Sequence, residues 1–303
     1  MAQSLGYNQP LYLLPFDHRS SFTRGLLSVV GDLNPSQSAQ VSELKNIVYR
    51  GFELAVAQGV PKAAAAILVD EQFGLDILKQ AVAAGYIVCM PVEKSGQEEF
   101  DFEYGASYVT HLTDIHPVFA KVLVRYNPEA DAELNARQRA KLGELGSQAR
   151  SAGCKFLAEI LVPSTSEQLA KVGGDGGRYD AEIRPGLAVR MIKEFQADGV
   201  EPDVWKIEGF DKPADYQAVV QQIRQGERSQ VGLIILGRGQ DEAAVEQWLK
   251  AGREVSGVIG FAVGRTVFWQ ALVDYRAGKL TAVQASQVIA DRYLYFYKLF
   301  VGC

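Results

Sequence analysis

Eight short, nearly uninterrupted apolar runs recur along the chain, and between most of them the hydrophobic pattern changes to that of an amphipathic helix. The runs are Leu11–Asp17, Ala64–Asp70, Tyr86–Glu93, Phe119–Tyr126, Lys155–Pro163, Val204–Phe210, Gly232–Gly239 and Gly257–Arg265. Strands that are apolar on both faces must be covered on both faces, which suits a parallel sheet shielded by helices. Helical spacing over Ala39–Ala57, Leu75–Ala84, Ala132–Ala152, Pro185–Ala197, Pro213–Arg224 and Asp241–Ala251 supplies the covers. Strand followed by helix, eight times, predicts an α/β fold: a single (β/α)8 TIM barrel, with a doubly wound open sheet as the competing arrangement. A length of 303 residues fits one such domain spanning 1–303. Thr281–Phe300 reads as an additional C-terminal helix. Its Tyr293, Tyr295, Phe296 and Tyr297 would cover the barrel or form a homo-oligomer contact.

The segment Val172–Arg184 carries four glycines after the fifth run and reads as a long loop over the active face, either a mobile lid or a plain connection. A net charge of −5 supplies no basic surface for nucleic acid or an anionic membrane, so an anionic ligand must be met by local cations. The polar start of the chain lacks the pattern of a signal peptide, and no apolar stretch approaches the roughly 20 residues of a membrane span. Cys89, Cys154 and Cys303 form no paired framework. A reducing, cytoplasmic setting is the expectation.

Active sites of such barrels lie at the carboxyl ends of the strands, so charges inside the apolar runs are the residues to question. Asp17 ends the first run, Lys121 lies in the fourth, Glu159 in the fifth and Lys206 in the sixth. Lys206 and Glu208 share one face by the period of two, while Trp205 and Ile207 take the face beneath the helices. A lysine directed inward becomes a nucleophile when desolvation and a second cation favour the neutral amine. Lys121 could supply that cation and Glu159, on the intervening strand, could move protons. The alternative is an internal ion-pair network that only stabilises the fold.

Gly237, Arg238 and Gly239, then Gly264 and Arg265, place small residues and arginines at the seventh and eighth strand ends, where barrels often hold phosphate. Glycine admits backbone N–H groups to an anion, and arginine offers a two-pronged donor. With only His18, His111 and His116, a histidine-rich metal centre is not expected, although carboxylate sites for magnesium remain open. No organic cofactor motif is present: G-x-S-x-G, a Walker loop and a properly placed G-x-G-x-x-G are all missing.

FDHRSSF at Phe16–Phe22, AKVLVRY around Lys121, LAEILVP around Glu159, VWKIEG around Lys206 and GFAVGRTVFW near the end resemble the class I aldolases related to tagatose 1,6-bisphosphate aldolase. LYLLPFDHRSSF and WKIEGF are similar to the aldolase domain joined to 5-dehydro-2-deoxygluconokinase in bacterial inositol breakdown. The resemblance implies a Schiff base on Lys206, proton transfer by Glu159, Lys121 as companion lysine, Asp17 orienting substrate hydroxyls and Arg265 at a phosphate site. It also implies that no cofactor is needed. The narrower likeness implies 2-deoxy-5-keto-gluconate 6-phosphate as substrate, dihydroxyacetone phosphate and malonate semialdehyde as products, and a functional link to a sugar kinase. Arg125, or alternatively Arg19, would then meet the substrate carboxylate. The family commonly has glutamine where His18 stands and a serine-containing loop where this chain has Gly-Arg-Gly, so tagatose bisphosphate or a sulfonated ketose phosphate stays open as substrate. A catalytically silent, sugar-phosphate-binding barrel is the reading from a different class.

Overall fold

A computed structural model describes residues 4–237, 239 and 242–303. Each apolar run contains one parallel strand: β1 (Leu11–Pro15), β2 (Ala65–Leu68), β3 (Ile87–Pro91), β4 (Phe119–Arg125), β5 (Lys155–Leu161), β6 (Val204–Glu208), β7 (Gly232–Leu236) and β8 (Val258–Ala262). They pair in chain order, and β8 pairs with β1 through Leu11↔Gly260, Tyr12↔Phe261 and Leu13↔Ala262, closing a TIM barrel. The open-sheet alternative is thereby set aside.

The period of two divides the strands' side chains between two cores. Ala158, Ile160, Trp205, Ile207, Leu233 and Ile235 point outward into the layer shared with the helices. Leu11, Leu13, Ala66, Leu68, Cys89, Phe119, Leu157, Val204, Ile234 and Ile259 point inward and fill the barrel with an apolar plug. Gly260 sits where the seam closes: a Cβ there would lie 1.8 Å from the Leu11 carbonyl oxygen, so only glycine lets β8 approach β1.

The expected helices form with small shifts at their ends; Pro35–Ala57 starts earlier than its periodicity suggests because Asn34 and Gln37 build a capping box. Tyr108–Ile115 and Arg265–Arg276, which the apolar spacing did not single out, follow β3 and β8. The last helix, Ala282–Val301, lies against Pro35–Ala57, with Ser286 Oγ donating to the Ile47 carbonyl at 2.9 Å. Its Tyr293 and Phe296 are buried against the barrel, and the Tyr293 hydroxyl donates to the Tyr12 carbonyl at 2.5 Å, whereas Tyr295 faces outward. No helix among the described residues is long and apolar enough to cross a membrane.

Val172–Arg184 departs from the expected loop. Gly176–Arg178 and Tyr179–Ile183 are helical turns leading directly into the Arg184–Ala197 helix. Buried Tyr179 donates to the Val162 carbonyl at 2.8 Å, and buried Arg184 bonds Asp180 and the Gly209 carbonyl. The glycines permit tight turns, but these anchors hold the segment to the barrel.

Replacing Gly260 with alanine is expected to destabilise the protein by at least ~2 kcal/mol, because the new methyl meets backbone at the seam. Gly186→Ala, in an open position of a helix, should instead stabilise by up to about 1 kcal/mol. Denaturant unfolding of both variants tests this; equal small effects would contradict the seam constraint.

Candidate active site

Directly above the plug, β4, β5 and β6 present Lys121, Glu159 and Lys206 to the interior, all at least nine-tenths buried. Pairing of Glu159 with Lys206 across β5 and β6 sets the two side chains level. One carboxylate oxygen, Glu159 Oε2, lies 2.8 Å from Lys206 Nζ and 3.0 Å from Lys121 Nζ. Lys121 also donates to Asp17 Oδ2 at 2.9 Å and to Glu93 Oε1 at 2.6 Å. A single ammonium thus gathers carboxylates from just beyond β1 and β3 and from within β5.

The electrostatics follow from this crowding. Burial alone would raise the carboxyl of Asp17, but Lys121, with smaller contributions from His18 and Lys206, holds it well below the usual carboxylate range. Burial likewise opposes ionisation of Glu159, and the two lysines outweigh it, so the group stays below its ordinary value. Lys121 is raised well above a normal lysine because Asp17, Glu159 and Glu93 overcome the cost of burial. Glu93 goes the other way: burial, reinforced by Asp17, pushes it up despite Lys121.

The loop after β1 is held from outside the barrel. Buried Lys45, on the Pro35–Ala57 helix, donates to the Phe16 and His18 carbonyls at 2.8 and 3.2 Å and pairs with buried Asp70. Asp70 also caps the Glu71–Ala83 helix by accepting from Phe73 N. Lys45 therefore fixes the backbone on both sides of Asp17. His18 lines the same cavity; burial, opposed by Asp17 and aided by Arg265, pushes its imidazole down to about 4.

A cavity of about 320 Å³ opens over these groups. Gly239, Gly264 and Arg265 line its β7–β8 side, next to the start of the Arg265–Arg276 helix. Gly239 has φ +67° and packs so closely against the Arg265 guanidinium that a Cβ would overlap it. Gly237 lies just beyond the residues that line the cavity, and its amide donates to the Ala262 carbonyl at 3.1 Å, extending the sheet ladder. Arg238 lies outside the described residues.

Arg125 stands on the β4 side of the mouth, exposed, with one N–H on the Gln97 carbonyl at 3.0 Å. Arg19 borders the cavity but is buried and tied to Glu103 at 2.7 Å and to the Glu93 carbonyl at 2.5 Å, so it anchors the loop after β3. That loop, through Ser95, Gly96, Gln97 and Phe100, overhangs the cavity. Val172–Arg184 instead borders a separate hollow with Asp211 and Trp248. Glu93 and Lys45 were not singled out from sequence; the third apolar run ends on Glu93, which was the available signal. Among the described residues no group of three His, Cys, Asp or Glu side chains is arranged to hold a metal ion.

Residues 5–301 match the bacterial family described as "Uncharacterized protein conserved in bacteria (DUF2090)". The chain belongs to that family. This DUF2090 protein is 29% identical over 184 residues to a tagatose 1,6-diphosphate aldolase of Listeria monocytogenes, covering 57% of this chain and 50% of the relative. It is 24% identical over 237 residues to tagatose 1,6-diphosphate aldolase 1 of Enterococcus faecalis, covering 69% of each. The matched region thus spans about half the length of the Listeria relative. Among solved structures, a Corynebacterium glutamicum protein superposes with TM-score 0.58 at 18% identity, covering 95% and 87% of the two chains. A fructose-bisphosphate aldolase of Slackia heliotrinireducens gives 0.54 at 14%, covering 93% and 86%. These superpositions support the fold.

The His18 environment gives the DUF2090 protein a signed pH dependence. Between about pH 4 and 6.5 the unfolded histidine binds a proton that the folded one does not, so its contribution to stability is present above pH 6.5 and is lost as pH falls toward 4. Glu93 acts in the opposite sense, which makes the difference between variants the quantity to read. Urea unfolding of His18→Gln from pH 7 to pH 4.5 should show a shallower loss of stability than wild type; parallel curves would contradict the assignment.

Proposed function

We propose that the protein is a class I aldolase that cleaves a phosphorylated keto-sugar through a Schiff base on Lys206. The observation that carries this reading is the shared oxygen: Glu159 Oε2 contacts both Lys206 and Lys121 at the buried floor of the cavity. A buried lysine pair bridged by a carboxylate is costly as mere structure, and it matches the needs of carbonyl chemistry. The aldolase names of the Listeria and Enterococcus relatives support the same class.

In the proposed reaction, Lys206 passes a proton to Glu159 and its amine attacks the substrate ketone carbon. Glu159 returns that proton to the carbinolamine hydroxyl, which departs as water to leave an iminium that draws electrons from the neighbouring carbon. Glu159 then takes the proton from the hydroxyl two carbons away from the iminium carbon. The carbon-carbon bond between them breaks, its electron pair forms an enamine, and the hydroxyl carbon leaves as an aldehyde. Protonation and hydrolysis of the enamine release the phosphorylated ketone and restore Lys206. Lys121 donates to the oxygen that gains negative charge during these steps, and Asp17 accepts from substrate hydroxyls and orients them.

The phosphate would sit between Gly239, Gly264, Arg265 and the start of the Arg265–Arg276 helix, where backbone N–H groups and the helix dipole favour an anion. β4 stands across the barrel from β8, so Arg125 faces the opposite end of a bound chain from Arg265. This supports a substrate anionic at both ends and, more narrowly, 2-deoxy-5-keto-gluconate 6-phosphate, giving dihydroxyacetone phosphate and malonate semialdehyde as in inositol breakdown.

Cleavage should be assayed with that compound, tagatose 1,6-bisphosphate and a sulfonated ketose phosphate, each with a chelator present. The expected result is chelator-resistant release of dihydroxyacetone phosphate or its counterpart, best with the first substrate. Glu159→Gln should lower kcat by ~100-fold or more, and Arg265→Ala should act mainly through KM. Folded protein that binds these compounds but cleaves none would favour a silent, sugar-phosphate-binding barrel.

A further inference from the structure

Two lysines and three carboxyl groups share the floor of the cavity: Lys121 and Lys206 against Asp17, Glu93 and Glu159. Full ionisation would leave one negative charge uncompensated among groups removed from water, an arrangement that a single proton relieves. Glu159 touches both ammonium groups and has the strongest reason to remain a carboxylate. Asp17 is the most exposed of the three. Glu93 receives only Lys121 on Oε1, while its Oε2 is buried with no hydrogen-bond partner among the described residues. A buried carboxylate oxygen accepting nothing is costly, but a buried carboxylic acid is a donor awaiting an acceptor.

We propose that Glu93 is a substrate-binding acid of this site: it carries a proton on Oε2, and a turn of the carboxyl, whose Oε2 is closed to solvent here, brings that proton into a hydrogen bond with an oxygen of the substrate fragment that leaves as the aldehyde. The identity of that fragment rests on the aldolase reading. With phosphate between β7 and β8 and the imine on β6, the departing fragment extends toward β3 and β4, and Glu93 follows directly on β3. Every element facing it contributes charge: Asp17 and Arg19 from the loop after β1, Lys121 from β4, Glu159 and Lys206 beyond Lys121, and Lys94 and Glu103 from its own loop. Of these, only Lys121 bonds the carboxyl side chain; Arg19 bonds the Glu93 main-chain carbonyl instead. Burial and Asp17 both favour the protonated form.

Infrared difference spectra of wild type against Glu93→Gln at pH 7 test the proton directly. The expected wild-type spectrum contains the carbonyl band of a buried carboxylic acid, and the variant lacks it. This comparison needs no turnover, so it decides the protonation state even if no substrate is cleaved. Where cleavage is observed, Glu93→Gln, which keeps a donor of similar shape, should lower kcat/KM by only about threefold. Glu93→Ala should lower it by on the order of tenfold or more while trapped imine on Lys206 persists. Absence of the band, or equal losses in the glutamine and alanine variants, would overturn the proposal.

Discussion

The Lys121 ammonium is the contact on which the site depends. It lies just above the apolar plug and binds Asp17 and Glu93, which follow the ends of β1 and β3, and Glu159 from within β5. Each carboxylate would be expensive to bury alone; around one lysine they are compensated together, and removing that lysine would strand Asp17 and Glu93 and leave Glu159 with Lys206 alone. The barrel makes the cluster possible because inward positions on neighbouring strands stand at matched heights, and the plug below excludes water from one side. Lys206 joins the cluster through the same oxygen of Glu159.

A second buried pair, Lys45 with Asp70, supports the first from behind. Lys45 ties the carbonyls that flank Asp17 to the outer helices, and Asp70 ties Lys45 to the start of the next helix. The position of Asp17 is thereby set by the helical layer, which is how a residue beyond the end of a strand can hold a fixed distance to Lys121. The loop after β3 is secured in the same manner by Arg19, through Glu103 and the Glu93 carbonyl. These ion pairs cost desolvation energy and return positional definition where the chemistry requires it.

Much of this architecture is legible in the amino-acid sequence. The eight apolar runs marked all eight strands, although most extended past the true strand ends, because Phe16, Val92, Val162, Phe210 and Val263 stay buried after sheet pairing stops. Lys121, Glu159 and Lys206 stood out because a charge inside such a run has no inexpensive explanation. Glu93 did not, since a carboxylate closing an apolar run looks the same whether it meets water or turns inward. Lys45 looked like an ordinary polar position on an amphipathic helix. Arg19 and Arg125 could not be told apart by composition; their difference lies in long-range contacts to Glu103 and the 93–103 loop. The glycines of Val172–Arg184 suggested freedom that the buried anchors Tyr179 and Arg184 remove.

The central claim is that Lys206 forms a covalent imine with a phosphorylated ketone. Borohydride reduction in the presence of dihydroxyacetone phosphate, followed by intact mass and peptide mapping, measures it directly. The account predicts one reduced adduct, mapped to Lys206 and absent from a folded Lys206→Ala variant. A folded wild-type protein that gains no adduct, or gains one at another lysine, would contradict it.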